Sequence, residues 1–229
     1  MGTGLKLSVQ SGDQVGAREV VLEDPQLIVA GFTGRDPTAV DAHIAELREL
    51  GVPAPPEVPV FFPLPNELLS LAPTVVRVRG GGTSGEAEPV LIRMPDGEIF
   101  VGVGSDHTDR ELERESLAAS KSACAKPLAG VVWPFAEVAP HWDELVLSAQ
   151  SGADGRPYQR STLADIREPS DLLGRIEPGE VDPARPVVLY LGTVALEDGF
   201  RFDRVFRAAL QDPRSGRELV CAYEIREEE

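Results

Sequence analysis

The chain has 229 residues, 42% of them hydrophobic and 26% charged, the balance of a globular protein with one sizeable core, which excludes fibrous and disordered classes. Its 38 acidic against 22 basic side chains give a net charge of −16, a field that repels phosphate backbones and anionic lipid, so neither nucleic acid nor a membrane is an expected partner. The start lacks a basic flank with a long apolar run and no stretch approaches the ~20 apolar residues of a membrane helix, so a cytoplasmic protein is expected, with Cys124 and Cys221 as two buried, reduced thiols.

In chain order, residues 5–9 and 19–22 read as short strands between polar turns and mark 1–30 as a small β-rich amino-terminal portion ahead of a main unit, 31–229. Residues 27–32 form a buried strand. Asp36-Pro37 supplies an N-cap and a first-turn Pro, and Gly51 a stop, for a helix to residue 50. Ile44, Leu47 and Leu50 form its predicted buried stripe, and His43 and Glu46 lie three apart on an adjoining face. The prolines of 51–59 forbid regular structure, and 60–63 and 74–79 follow as strands.

Beyond residue 106, residues 109–122 read as a surface helix with Leu112 and Leu117 inside. Residues 124–132 lead to a turn at Trp133-Pro134, 135–138 to a short helix, and 140–143 to a packed turn whose Trp142 N–H is satisfied. Then come a strand over 144–149, a turn over 152–155, one or two short helices within 162–175, and an apolar strand over 186–193. Residues 202–211 and 218–225 close the chain as a hairpin, with 227–229 a solvated tail.

The stretch that organises the chain is 83–92 with 101–106. Alternate side chains of a strand share a face, so Glu86 and Glu88 point the same way. Met94-Pro95-Asp96-Gly97-Glu98 reads as the turn of a hairpin. A three-residue loop with a glycine bulge pairs Met94 with Glu98 and sets Glu86 opposite Asp106, whereas a two-residue loop sends Asp106 to the other face. Glu-x-Glu alone is the pattern of a solvated strand. Three converging carboxylates instead require protonation or a cation, and an all-oxygen ligand set suits Mg²⁺ or Mn²⁺ before Ca²⁺, and not zinc.

The run Val-Gly-Val-Gly-Ser-Asp-His-Thr-Asp-Arg-Glu-Leu at 101–112 resembles the segment of the fumarylacetoacetate hydrolase superfamily in which a strand ends in Asn-Asp and continues through Ser-x-Arg-Asp. That resemblance implies Glu86, Glu88 and Asp106 as ligands of a divalent cation, with Arg110 beside the substrate. Residues 40–47 followed by Pro59-Val60-Phe61-Phe62 resemble the family's His-x-x-Glu lid motif and its Pro-x-x-Phe strand, which implies a lid at 34–58 and a His43–Glu46 dyad that activates water. Ser120-Lys121-Ser122 resembles the family's Lys-Ser segment and implies Lys121 as a catalytic cation. Residues 189–195 resemble a strand ending in Gly-Thr-Pro, with Thr193 touching substrate and Val194 in place of Pro.

The sequence also departs from the family. Leu64 stands where Phe-x-Lys-Pro has its lysine, and His107 follows Asp106 where a small apolar residue is usual. The chain looks closest to a bacterial branch known as a domain of unknown function. The resemblance implies a mostly β (α+β) fold, a mixed β-sandwich roll with short peripheral helices, and a homodimer. It also implies a hydrolase cleaving a C–C bond in an acylpyruvate-like 2-oxo acid. Decarboxylation of an oxaloacetate-type 3-oxo acid, isomerase or hydratase chemistry, and a non-catalytic module that binds a metal and a 2-oxo acid stay open beside it.

Overall fold

The computed structural model describes residues 4–12, 14–49, 51–176 and 179–228. Its strands are β1 (Leu5–Ser11), β2 (Gln14–Leu22), β3 (Gln26–Gly31), β4 (Val60–Leu64), β5 (Leu69–Ala72), β6 (Thr74–Val78), β7 (Thr83–Ser84), β8 (Ala87–Arg93) and β9 (Ile99–Ser105). They continue as β10 (Thr108–Asp109), β11 (Lys126–Ala129), β12 (Val131–Pro134), β13 (Val146–Ser151), β14 (Arg156–Thr162), β15 (Val187–Tyr190), β16 (Val205–Gln211) and β17 (Glu218–Glu227). The α-helices are α1 (Pro37–Glu49), α2 (Arg110–Glu113), α3 (Leu117–Ser122), α4 (Phe135–Val138) and α5 (Pro169–Arg175). The architecture is mostly β, as the sequence leads one to expect. Among the described residues no helix is long and apolar enough to cross a membrane.

Two sheets carry the fold. The larger runs β2-β1-β12-β9-β8-β15-β3-β4 with β11 and β5 attached, and the smaller runs β14-β13-β16-β17-β6. Residues of the first thirty supply β1, β2 and most of β3 to the larger sheet. β8 is buried along nearly its whole length, because it lies between β9 and β15 and has a hydrophobic core on each face. The strand period of two divides its residues between them. Ala87 and Leu91 join the core shared with the smaller sheet, alongside Leu147, Phe206, Leu210 and Tyr223. Val90 and Ile92 join Leu7, Leu22, Leu27, Val29 and Tyr190, a core over which the two ends of the larger sheet curl. Glu88 has the parity of this second set and stands at its end.

The turn after β8 takes the bulged form. Met94 N–H donates to the Glu98 carbonyl at 2.8 Å and Gly97, at φ +89°, donates to Met94 at 3.0 Å. That fixes Glu88 opposite Gly104 and places the Asp106 N–H 3.0 Å from the Glu86 carbonyl.

Several expectations are corrected. Trp133 and Pro134 are not a turn but the end of β12, paired with Val101 and Phe100, where Pro needs no further ladder bond. The 109–122 segment is two short helices, since Ser116 interrupts the first and caps the second through Ala119 N–H. One face of it is polar yet buried, with Arg110, Glu113, Ser120 and Lys121 inside, whereas Leu112 and Leu117 are only partly buried and Glu111, Arg114, Glu115, Ala118 and Ala119 are exposed.

On α1, Val40 is buried and Ile44 and Leu47 are partly buried while the residues between them are exposed, so the expected stripe is present at Ile44 and Leu47 and extends to Val40. Leu50 lies outside the described residues. Trp142 packs edge-on against Phe135 with ring centroids 5.6 Å apart, yet its buried N–H finds no acceptor among the described residues. Residues 156–161, where the sequence predicts no element, form β14 together with Thr162, expected instead at the start of a helix. Glu227 is not frayed but paired with Val78, and Glu229 lies outside the described residues.

Candidate metal centre

The hairpin delivers three carboxylates to one point. Ligand oxygens of Glu86, Glu88 and Asp106 all lie within 4.8 Å of one another. Glu88 is 1% exposed and Asp106 0%. Two backbone devices hold them: Ser105 Oγ accepts from the Glu86 N–H at 3.2 Å, and the Gly192 N–H donates to Glu88 Oε2 at 2.8 Å. Gly192 sits at φ +93° with Thr33 against the place of a Cβ, so only glycine turns its N–H toward Glu88 here.

Cations are distributed unevenly over the cluster. Lys121 hydrogen-bonds Asp106 Oδ2, and Lys126 Nζ stands 2.9 Å from Asp106 Oδ1 while donating to the His107 carbonyl at 2.6 Å. Asp106 Oδ1 is thus paired in charge without a well-aimed hydrogen bond. Burial opposes ionisation of Asp106, but the two ammonium groups outweigh it and hold its carboxyl below the usual range. Burial also works against the charge on Lys121, and Asp106, Glu86 and Glu88 together overcome it, raising its pKa. On Lys126 burial wins and the pKa falls.

Glu86 faces Arg110 Nη2 at 2.9 Å. The rest of that guanidinium is committed to Ser84 Oγ at 2.8 Å and Glu113 at 3.1 Å, and Phe200 covers its face at 4.2 Å. Arg110 therefore orients Glu86 and has only Nη2, which lacks a well-formed hydrogen bond, for anything else. Glu88 differs from both. Among the described residues it has no ion-pair partner, and burial, then the charge of Asp106, push its pKa well above the carboxylate range.

This arrangement fits a hard dication. A buried carboxylate with one backbone donor, two neighbouring carboxylates within reach and only oxygen donors is the ligand chemistry of Mg²⁺ or Mn²⁺.

The other expected residues divide into two groups. Lys121 is at the cluster, and Thr193 is one residue from the Gly192 contact, donating to the Ala87 carbonyl at 2.8 Å and accepting from Gln159 at 2.6 Å. His43 and Glu46 are 3.9 Å apart but 60% and 76% exposed, and among the described residues no hydrogen bond or ion pair joins them to the carboxylates. His43 packs beside Phe32, ring centroids 6.3 Å apart.

Lys126, Gln159 and His107 carry more of the site than their sequence context announces. Lys126 heads an apolar run, a charge at the mouth of a buried strand, which was its available signal. Gln159 accepts from the Ala87 N–H at 2.9 Å and lies in the unread β14. His107 bonds Tyr223 OH and Thr83 Oγ1, each at 2.9 Å. Burial, with Lys126 and Arg110 nearby, lowers its pKa to about 3, so it is a neutral brace.

A family model described as "Protein of unknown function (DUF2848)" matches residues 30–223. A comparison with curated proteins finds no match. Among solved structures, a fumarylpyruvate hydrolase from Pseudomonas aeruginosa in complex with Mn²⁺ and pyruvate is similar at 19% identity over 100% of this chain and 99% of that one, TM-score 0.62. A 2-keto-3-deoxy-D-arabinonate dehydratase complexed with magnesium and 2,5-dioxopentanoate is 15% identical over 92% and 77%, TM-score 0.61. A 5-carboxymethyl-2-hydroxymuconate delta-isomerase from Mycobacterium smegmatis is 16% identical over 94% and 87%, TM-score 0.59. The chain shares its fold with these three structures, a mostly β fold as the motif resemblance implied.

Proposed function

The chain belongs to the family described as protein of unknown function DUF2848, and on that premise we propose that it is a Mg²⁺- or Mn²⁺-dependent hydrolase cleaving a C–C bond in an acylpyruvate-like 2-oxo (β-diketo) acid. The observation that carries this reading is the convergence of Glu86, Glu88 and Asp106 within 4.8 Å, with Glu88 buried and lacking an ion-pair partner among the described residues. A dication held by these carboxylates supplies Lewis acidity and a docking point for a carboxylate and the adjacent 2-oxo oxygen. Pyruvate, present with Mn²⁺ in the similar Pseudomonas structure, is the fragment such a cleavage releases.

The chain's own residues have separable tasks. Arg110 fixes the aim of Glu86, and Gly192 that of Glu88. Thr193 has given its proton to Ala87 and one lone pair to Gln159, which leaves a lone pair for substrate. With α1 folded toward the carboxylates, His43, oriented by Glu46, takes a proton from water as the water oxygen attacks the distal carbonyl. The bond between that carbon and the methylene breaks, leaving a carboxylic acid, its electron pair passes into a pyruvate enolate, and the Lys121 ammonium hydrogen-bonds the enolate oxygen until His43 returns its proton to the methylene carbon.

The exposure of His43 favours a second reading, decarboxylation of a 3-oxo acid or an isomerisation, both of which reach an enolate without attacking water. Assay of acylpyruvates and of oxaloacetate with Mg²⁺ or Mn²⁺ separates the two. Release of pyruvate plus a carboxylic acid supports hydrolysis, and turnover confined to oxaloacetate overturns it. The reading also takes the chain as a cytoplasmic homodimer, with light scattering of the purified protein as the test of its oligomeric state.

A further inference from the structure

Both oxygens of Asp106 already touch an ammonium group, and the two lysines are held differently. Lys126 is fully buried at the head of β11 and anchored on the His107 carbonyl at 2.6 Å. Lys121 lies near the end of the six-residue α3 and reaches the cluster on a four-carbon stem, its Nζ 5.7 Å from the centre of the Phe62 ring. Among the described residues, Asp106 is the hydrogen-bond partner found for its Nζ. Its Nζ contacts Asp106, one of the three carboxylates whose oxygens converge within 4.8 Å, and its charge also bears on Glu86 and Glu88. A dication bridging those oxygens must come within ~2.0–2.6 Å of each, and it would meet an ammonium already in contact with one of them. Like charges at that separation exclude each other.

We infer that Lys121 is the built-in counter-cation of this site, resting on Asp106 until Mg²⁺ or Mn²⁺ enters and then swinging off it, so that ion uptake and release of the Lys121 ammonium are one event. Lys126, buried and anchored, stays. The inference rests on the metal-dependent reading and deepens it. It explains how one lysine balances part of the empty cluster's charge, beside Lys126 and Arg110, and is then free to meet an enolate oxygen, and it makes ion affinity weaker than the ligand set alone would give, because Lys121 must first be displaced.

Two measurements on the full chain without any keto acid test this. Calorimetric titration with Mn²⁺ should show Lys121→Met binding at least tenfold more tightly than the unaltered protein. Acetylation of the native protein, read by peptide mass spectrometry, should show Lys121 labelling rising several-fold at Mn²⁺ saturation while Lys126 stays protected. A tighter variant with unchanged Lys121 labelling overturns the inference, since a fixed nearby charge would give that result. The inference alone also falls if the unaltered protein binds Mn²⁺ and the variant binds no more tightly. If neither takes up millimolar Mn²⁺, the inference and the metal-dependent reading fall together. Should Lys121→Met fail to fold, the labelling of the unaltered protein decides the matter.

Discussion

Glu88 takes a 2.8 Å hydrogen bond from the Gly192 N–H and, among the described residues, has no ion-pair partner, although it is almost wholly buried beside Asp106. Such a group is stable protonated or with a cation and costly otherwise. Glu88→Gln keeps the shape and the Gly192 contact while removing the charge. The apoprotein should melt within a degree or two of the unaltered protein or slightly above it, whereas Mn²⁺ affinity should fall about a hundredfold or more, in line with losses seen even for outer-shell changes. Thermal melts with and without Mn²⁺ check both halves, because a saturating ion should raise the melting temperature of the unaltered protein and leave the variant's unmoved.

Arg110 is the most heavily committed cation of the site, touching Glu86, Glu113, Ser84 and the face of Phe200. Removing it leaves the buried Glu113 and the partly buried Glu86 without their partner. Arg110→Ala should cost about 3–5 kcal/mol in urea unfolding, while Phe200→Ala, which loses only the stacking contact, should cost about 0.5–2 kcal/mol. Equal effects from the two would contradict this division.

Away from the site, Asp212 closes the last hairpin turn with Ser215 Oγ at 2.6 Å, Arg214 N–H at 3.0 Å and His141 Nε2 at 3.0 Å. Burial works against its ionisation, but these donors outweigh it and pull its pKa from 3.8 to about 2. A depressed carboxyl pKa contributes stability that is complete above the unfolded value and lost as pH falls from near 4 toward 2. The contribution, at most about 2 kcal/mol, should be missing in Asp212→Asn, whose stability should change less than the unaltered protein's between pH 5 and pH 2.5 by chemical denaturation.

The convergence of carboxylates was legible because it depends on a local register. Pro95 and Gly97 specify the bulged turn, and the pleat carries that choice along both strands to Glu86 and Asp106. What escaped depends on distant pairing. β14 has Arg156, Pro157, Gln159 and Arg160 on a partly exposed strand, so no apolar alternation marks it. Trp133-Pro134 looks like a turn until Val101 and Phe100 are placed beside it. The parallel pairings of β1 with β12, β3 with β15 and β6 with β17 join segments far apart in the chain, and no adjacent turn signals them. Burial of Lys121 and Lys126 follows from the acidic cluster they serve, a tertiary cause that no helix or strand period contains.

The dyad on α1 offers a clean separation of chemistry from stability. His43 and Glu46 are 60% and 76% exposed and 3.9 Å apart, so truncating either removes little packing. His43→Ala should leave the unfolding free energy within about 0.5 kcal/mol of the unaltered protein. If His43 is the base for water, hydrolysis of an acylpyruvate should drop about 10²- to 10⁴-fold in kcat, with Mn²⁺ affinity unchanged because the carboxylates are untouched. Oxaloacetate decarboxylation, which needs no attacking water, should survive in the same variant. Parallel loss of both activities would make α1 a general closing element instead of the carrier of the base, and unchanged hydrolysis would remove His43 from the mechanism altogether.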